Sequence, residues 1–288
     1  MADVTLTSAQ TAALLSLLDD SSPIVHRGLI SHFKALGKPA RQLLHDTSQG
    51  HNRHLAWHAR KYLEQLNFVD PVAEFREFIR SLNYELETGA LLLARTINPE
   101  LNAGACIDQL EKIAARCREL IMEPSTTREK CRIINRVLYH ECGFHGNTEN
   151  YTDPKNSFID SVLKRRRGIP VSLCILYLLV AHRLGLALEP IGLPGHFMVG
   201  CFTDQSPFFI DAFDGGLFRS PEEIFVFLRS HDLSVELSDL APTPIREVLC
   251  RSCRNLANHY QTQGHDSQSA LFDSFVIEFE STHAKNMM

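Results

Sequence analysis

Two side chains in the middle of this 288-residue chain have the types and spacing for proton-transfer chemistry: His196 in PGHFMVG and Asp211 in FFIDAFDGG. They stand fifteen residues apart, each in a short apolar segment, with turn residues Thr203 to Pro207 between. That pattern predicts a hairpin with the two side chains side by side. A carboxylate beside an imidazole fixes its tautomer and favours its charged form, which a base that activates a nucleophile needs. Upstream, RGIPVSLCILYLLVAHRLGL holds two nucleophile candidates, Ser172 and Cys174. A helix followed by a small sheet carrying His and Asp is the order of an acyl-transfer site. The same residues also have plain structural uses: His196 as a satisfied histidine, Asp211 as a turn cap, Ser172 as a first-turn helix cap.

The elements that must position these residues are legible from periodicity. PVSLCILYLLVAHRLG is apolar nearly all round and predicts a central buried helix. LEPIGL, HFMVGCF and PFFIDAF read as three strands, separated at Pro194-Gly195 and at Thr203–Pro207. SFIDSVLKRRRG reads as a short helix ended by Gly168, and SPEEIFVFLRSH as a helix capped by Ser220. Before them, ELETGALLLARTINP, ACIDQLEKIAARCRELIM and TTREKCRIINRVLYHECG predict three helices, the last with a capping box at Thr126 and Glu129 and a stop at Gly143. The first 69 residues predict two successive helix pairs in a HEAT-like pattern, one helix opening at Ser22-Pro23 and ending at Gly37. The last 48, IREVLCRSCRNLANHYQTQG and SQSALFDSFVIEFES, resemble a tetratricopeptide hairpin.

Composition narrows the function classes. A formal charge of −5 gives no reason to expect nucleic-acid binding. The longest apolar run, Ile169 to Ala181, is short of the roughly 20 residues a membrane span needs. MADVTLTSAQ has neither the basic nor the apolar region of a signal peptide. Eight scattered cysteines inside apolar patterns read as free thiols of a reducing, cytoplasmic protein. Cys250 and Cys253, with His259, fall on one helix and do not close a zinc site. His51, His54 and His58 share a helix face without a carboxylate or cysteine and read as surface or interhelix residues. Nothing implies a metal or organic cofactor. Arg167, beside the Gly168 turn, is expected at the cleft, where it binds a ligand carboxylate or phosphate, or pairs with Asp160 or Asp214.

NSF, RRRGIPVSLCILY, the LGL turn, PGHF and DAFDGG, between Asn156 and Gly216, resemble the transglutaminase-like domain of the bacterial SirB-type family. The upstream ELETGALLLA and DQLEKIAARC and the C-terminal hairpin are also similar, so the resemblance runs from about Asp70 to Glu280. It implies a papain-like core: a helix on an antiparallel sheet, the nucleophile at the helix start, His and Asp on adjacent strands. It also implies that the superfamily's cysteine position falls on Pro170, which cannot attack. The expected architecture is α+β and predominantly helical. It divides into HEAT-like repeats (1–69), a helical connector (70–145), a papain/transglutaminase-like core (146–240) and a tetratricopeptide-like hairpin (241–288). The expected site is Ser172, His196 and Asp211, with Asn156, Arg167, Cys174 and Asp214 in support. Two functions follow. One is a protein-binding or regulatory module with a degenerate nucleophile position, meeting a protein partner through its helical repeats. The other is a peptide-amide hydrolase or acyl transferase in which Ser172, or Cys174, attacks with His196 as base and Asp211 orienting it.

Overall fold

A computed structural model describes residues 6–20, 22–50, 52–66, 70–204, 206–229 and 236–286. His51, Gln205, the first five residues and the end of SPEEIFVFLRSH lie outside the described residues. The chain forms two compact units, Met1–Ala73 and Glu74–Met288.

The first unit holds α1 (Ser8–Leu17), α2 (Pro23–Leu36), α3 (Lys38–Ser48) and α4 (Arg53–Gln65). Ser22 stands at the N-cap position of α2 without a side-chain cap bond, Pro23 takes its first position, and Gly37 ends it at φ 61. The apolar faces close on Leu14, Leu18, Leu29, Phe33, Leu44 and Tyr62. The Tyr62 hydroxyl is satisfied by His26 Nδ1 at 2.7 Å.

The second unit begins within α5 (Pro71–Ser81) and continues with α6 (Leu86–Arg95), α7 (Ala103–Leu120) and α8 (Thr127–Asn135). The capping box of Thr126 and Glu129 forms as expected. The helix does not run on regularly to Gly143, however: Arg136–Glu141 is a π-helical turn. A two-residue strand β1 (His145–Gly146) follows, then a 3-10 turn (Pro154–Asn156) and α9 (Ile159–Arg165).

α9 stops short of the expected Gly168. Arg166 takes the left-handed conformation at φ 62, its guanidinium donating to Cys142 O at 3.2 Å and lying over the Phe144 ring. Arg167–Gly168 then forms β2, parallel to β1. Tertiary pairing overrides the helical propensity of the basic run here.

α10 (Pro170–Arg183) is buried along all of Pro170–Ala181, as an all-apolar helix requires. It packs on an antiparallel sheet of β3 (Glu189–Leu193), β4 (His196–Cys201), β5 (Phe208–Asp211) and β6 (Leu217–Arg219), in that order. β6 is a strand the sequence did not announce: Leu217-Phe218-Arg219 is too short for an alternation signal, and it exists by pairing with β5. α11 (Pro221–Arg229) returns over the other face, where Ile224 and Leu228 meet Ile191, Leu193, Met198 and Phe209. A 3-10 turn (Leu237–Leu240), α12 (Ile245–Thr262) and α13 (Asp266–Asn286) complete the unit. The architecture is α+β and predominantly helical, one central helix set against a small sheet.

Candidate functional site

β3 and β4 are joined by Pro194-Gly195, proline first and glycine second at φ 68, the chemistry of a type II turn. The turn releases His196 at the first position of β4. The pairing of Val199 with Ile210 sets Met198 opposite Asp211 one step further along. His196, two residues before Met198, therefore lies diagonal to Asp211 on the same face of the sheet. The imidazole Nε2 stands 2.9 Å from Asp211 Oδ2.

Asp211 is almost wholly buried and fully bonded. Its Oδ1 accepts from the amides of Phe213 (3.1 Å) and Asp214 (3.2 Å). The Asp211 carboxylate is thus held by its own following turn, and Nε2 of His196 is committed to it.

Both residues open onto a cleft of about 430 Å³. Its walls are Tyr151, Phe213 and Phe227, its rim includes Asp214 and Arg219, and Pro170 at the start of α10 faces it with His196. Arg219 Nε stands 3.9 Å from Asp211 Oδ2, and its terminal nitrogen bonds Asp214 Oδ2 at 3.1 Å. Arg219 escaped sequence reasoning because the strand carrying it did. Phe227 escaped because it lies on a separate helix, with no local spacing to link it to His196.

The other expected residues are elsewhere. Ser172 is buried, and the cleft is not lined by it. Its Oγ accepts from the Ile169 amide at 3.0 Å and lies 2.5 Å from Asn156 O and 3.1 Å from Ile169 O, within donating reach of both. Gly168 permits this packing: a Cβ there would come within 2.7 Å of Ser172 Oγ. Cys174 is also fully buried, its thiol 3.4 Å from Phe197 O, and burial, followed by the Asp211 charge, pushes its pKa well above the ordinary thiol value.

Asn156 is buried and bonds Asn147 through Oδ1 and the carbonyls of Asn150 and Tyr151 through Nδ2, so it ties down the 147–156 loop. Arg167 is exposed and reaches Glu149 at 3.3 Å, in place of the expected Asp160 or Asp214. Asp160 accepts from Asn98 instead. Asp214 does reach the cleft. Near Asp211, the Tyr139 hydroxyl on the π-helical turn is buried without a hydrogen-bond partner among the described residues; burial, then the nearby Cys174 and Asp211, raise its pKa.

Away from the cleft, Cys250 and Cys253 are buried and burial raises both thiols, Cys250 to about 11. Among the described residues, no group of three or more His, Cys, Asp or Glu side chains is placed to hold a metal ion. Among the same residues no helix is long and apolar enough to cross a membrane.

A helix whose start faces a His–Asp pair on an antiparallel sheet is the arrangement of a transglutaminase-like core. The family model described as the transglutaminase-like superfamily matches residues 104–254, just over half of the chain. The chain belongs to that superfamily. It is 35% identical over 182 residues to a UPF0162 protein of Xylella fastidiosa (strain 9a5c), covering 61% of this chain and 64% of that one. A UPF0162 protein of Vibrio cholerae is 35% identical over 132 residues, covering 46% and 49%. F-box only protein 21 of Mus musculus is 33% identical over 167 residues, covering 55% of this chain and 26% of that one. The chain thus spans less than two thirds of the length of each of these relatives. No solved structure matches it.

Proposed function

We propose that this protein is a transglutaminase-like binding module: its cleft keeps the His196–Asp211 pair and accepts a polypeptide segment without forming a covalent bond to it. One observation carries the reading. Pro170 faces the imidazole's cleft at the start of α10, while the hydroxyl of Ser172 and the thiol of Cys174 do not line it. Acyl transfer needs a nucleophile within hydrogen-bond reach of its base. Pro170 has none to offer. Ser172 is engaged by Asn156 and Ile169, and Cys174 is a buried, protonated thiol.

Three aromatic walls and a few convergent polar groups suit a site that holds a side chain in place. The relative named F-box only protein 21 supports the same reading in its name alone, and the shared region covers 26% of that longer chain. The four-part division, the HEAT-like and tetratricopeptide-like character of the flanks, partner contact through those helices and a cytoplasmic location belong to this proposal.

The test is turnover. Purified protein is incubated with glutamine-donor peptides plus an amine acceptor, and with fluorogenic peptide amides. The expected rate matches buffer and is the same for Ser172→Ala and His196→Ala. Turnover that disappears in both variants would establish the hydrolase or acyl-transferase reading with Ser172 instead. In parallel, a photoreactive residue placed at Phe227 is expected to cross-link a polypeptide in cells, and the yield is expected to fall when Gly195→Trp blocks the cleft.

A further inference from the structure

The imidazole of His196 has one committed nitrogen and one free. Asp211 Oδ2 stands 2.9 Å from Nε2, and its Oδ1 already accepts two backbone amides. A carboxylate only accepts hydrogen bonds, so Nε2 carries the ring proton and Nδ1 of the neutral ring is a bare acceptor. Nδ1 has no hydrogen-bond partner among the described residues, and His196 lines the cleft. A ligand that enters the cleft therefore meets an acceptor and must bring a donor to satisfy it.

The surroundings of that acceptor are aromatic and net negative. The imidazole lies 5.5 Å from the Phe227 ring and 6.4 Å from the Phe213 ring, and Tyr151 meets Phe213 at 6.1 Å between centroids. Besides His196, the ionisable acids and bases of the lining are Asp211, Asp214 and Arg219, apart from the Tyr151 phenol: two carboxylates against one guanidinium. Arg219 is held between the two, 3.1 Å from Asp214 Oδ2 and 3.9 Å from Asp211 Oδ2, and lies over the Phe227 ring at 5.5 Å. Asp214 is exposed on the rim, and its Oδ1 has no partner among the described residues. Outside the lining, Arg167 is paired with Glu149, and Arg251, which acts on the Tyr151 phenol, has the Glu247 charge acting on it in turn.

We infer that the cleft selects an arginine side chain of the bound polypeptide, whose guanidinium donates to His196 Nδ1, faces the Asp214 carboxylate and lies against the aromatic walls. A guanidinium is the side-chain group that combines several donors, a permanent positive charge and a flat face that stacks on rings. The other side chains fit less well. A carboxylate has no proton for Nδ1 and meets Asp211 and Asp214. A glutamine amide donates but brings no charge. A lysine ammonium brings charge but is compact, strongly hydrated and without a flat face. The inference rests on the reading of the cleft as a polypeptide-binding site and names the residue that site selects.

The experiment is an NMR titration of the full chain, with its histidines labelled, against short glycine peptides whose central residue is arginine, citrulline, lysine, glutamine or glutamate, at matched ionic strength. The arginine peptide is expected to shift the Nδ1 resonance of His196 and to bind at least about tenfold more tightly than citrulline, its uncharged isostere, the loss of a charge-assisted hydrogen bond. Asp214→Asn is expected to remove most of that difference. Arg219→Gln takes a competing cation from the rim and is expected to bind the arginine peptide at least as tightly as wild type, whereas a site for carboxylates would lose affinity. Asp214→Asn changes an exposed side chain and keeps the test open if Arg219→Gln unfolds. Equal binding of arginine and citrulline, tighter binding of any other peptide, or a weaker arginine peptide in a folded Arg219→Gln variant would each overturn the inference. Cross-linking at Phe227 without any preference for arginine overturns this inference and leaves the polypeptide reading standing. Cleavage of the arginine peptide, in preference to the others, overturns the non-covalent reading and leaves the arginine preference standing.

Discussion

The hydroxyl of Ser172 has three backbone neighbours within hydrogen-bonding distance, all in its own helix start or in the Asn156 turn. This is the first-turn capping use of serine, with one added contact that clamps the 147–156 loop to α10. Ser172→Ala leaves the Ile169 amide without its side-chain acceptor in a buried position. It is expected to cost about 1–3 kcal/mol of stability, read by denaturant unfolding, and to leave ligand binding at the cleft unchanged. His196→Ala should do the reverse. It leaves Asp211 with its two amide donors, so the turn persists while the cleft loses its polar group. A Ser172→Ala variant of full stability would mean that this hydroxyl is not buried as described.

At the scale of the element, the start of α10 is the telling place. Proline at the first helical position is favourable because its missing N–H has no partner there in any case. The same position carries the field of the helix N-terminus, which depresses a thiol pKa. Pro170→Cys is therefore expected to yield a cysteine that reacts with iodoacetamide at neutral pH at least about tenfold faster than Cys174. Adding His196→Ala should slow it. Peptide mapping by mass spectrometry resolves the two sites, and equal rates would show that residue 170 does not share the imidazole's environment.

α12 supplies a pH-sensitive element. His259 is buried, its Nδ1 has no hydrogen-bond partner among the described residues, and burial lowers its pKa from 6.5, with Asp153 opposing. A histidine with a depressed folded pKa binds fewer protons folded than unfolded. Stability is then complete above pH 6.5 and falls as the pH drops below it, toward the folded pKa. His259→Asn is expected to flatten the dependence of unfolding free energy on pH just below 6.5. An unchanged slope would assign that dependence to other groups.

At the scale of the molecule, the second unit closes on itself: Phe75 near its beginning packs edge-on against Phe275 near its end, at 4.9 Å between centroids, and Arg80 reaches Glu278 at 2.6 Å. A chain beginning at Glu74 is thus expected to fold without residues 1–73 and to keep the His196–Asp211 contact. Circular dichroism and the imidazole signals in NMR check this. Loss of cooperative unfolding in the shortened chain would show that the second unit is not separately stable. Closure through α5 and α13 joins segments some 200 residues apart, and no local pattern in the sequence announces it.

What the sequence determined by itself are features written in adjacent residues. Helix faces at 3.6-residue spacing, the Thr126 capping box, the all-apolar α10 and the proline–glycine turn before His196 are local, and the order of helix, His and Asp restricts which residues meet. Only the tertiary structure decided the rest. The end of α9 at Arg166 follows from the pairing of β2 with β1, and β6 from its pairing with β5. Arg167 found Glu149, and Ser172 turned to Asn156 while Pro170 faced the cleft. Such outcomes depend on which distant group competes for a hydrogen bond or an ion pair. A one-residue rotation about a helix is enough to move a side chain from a cleft into a core.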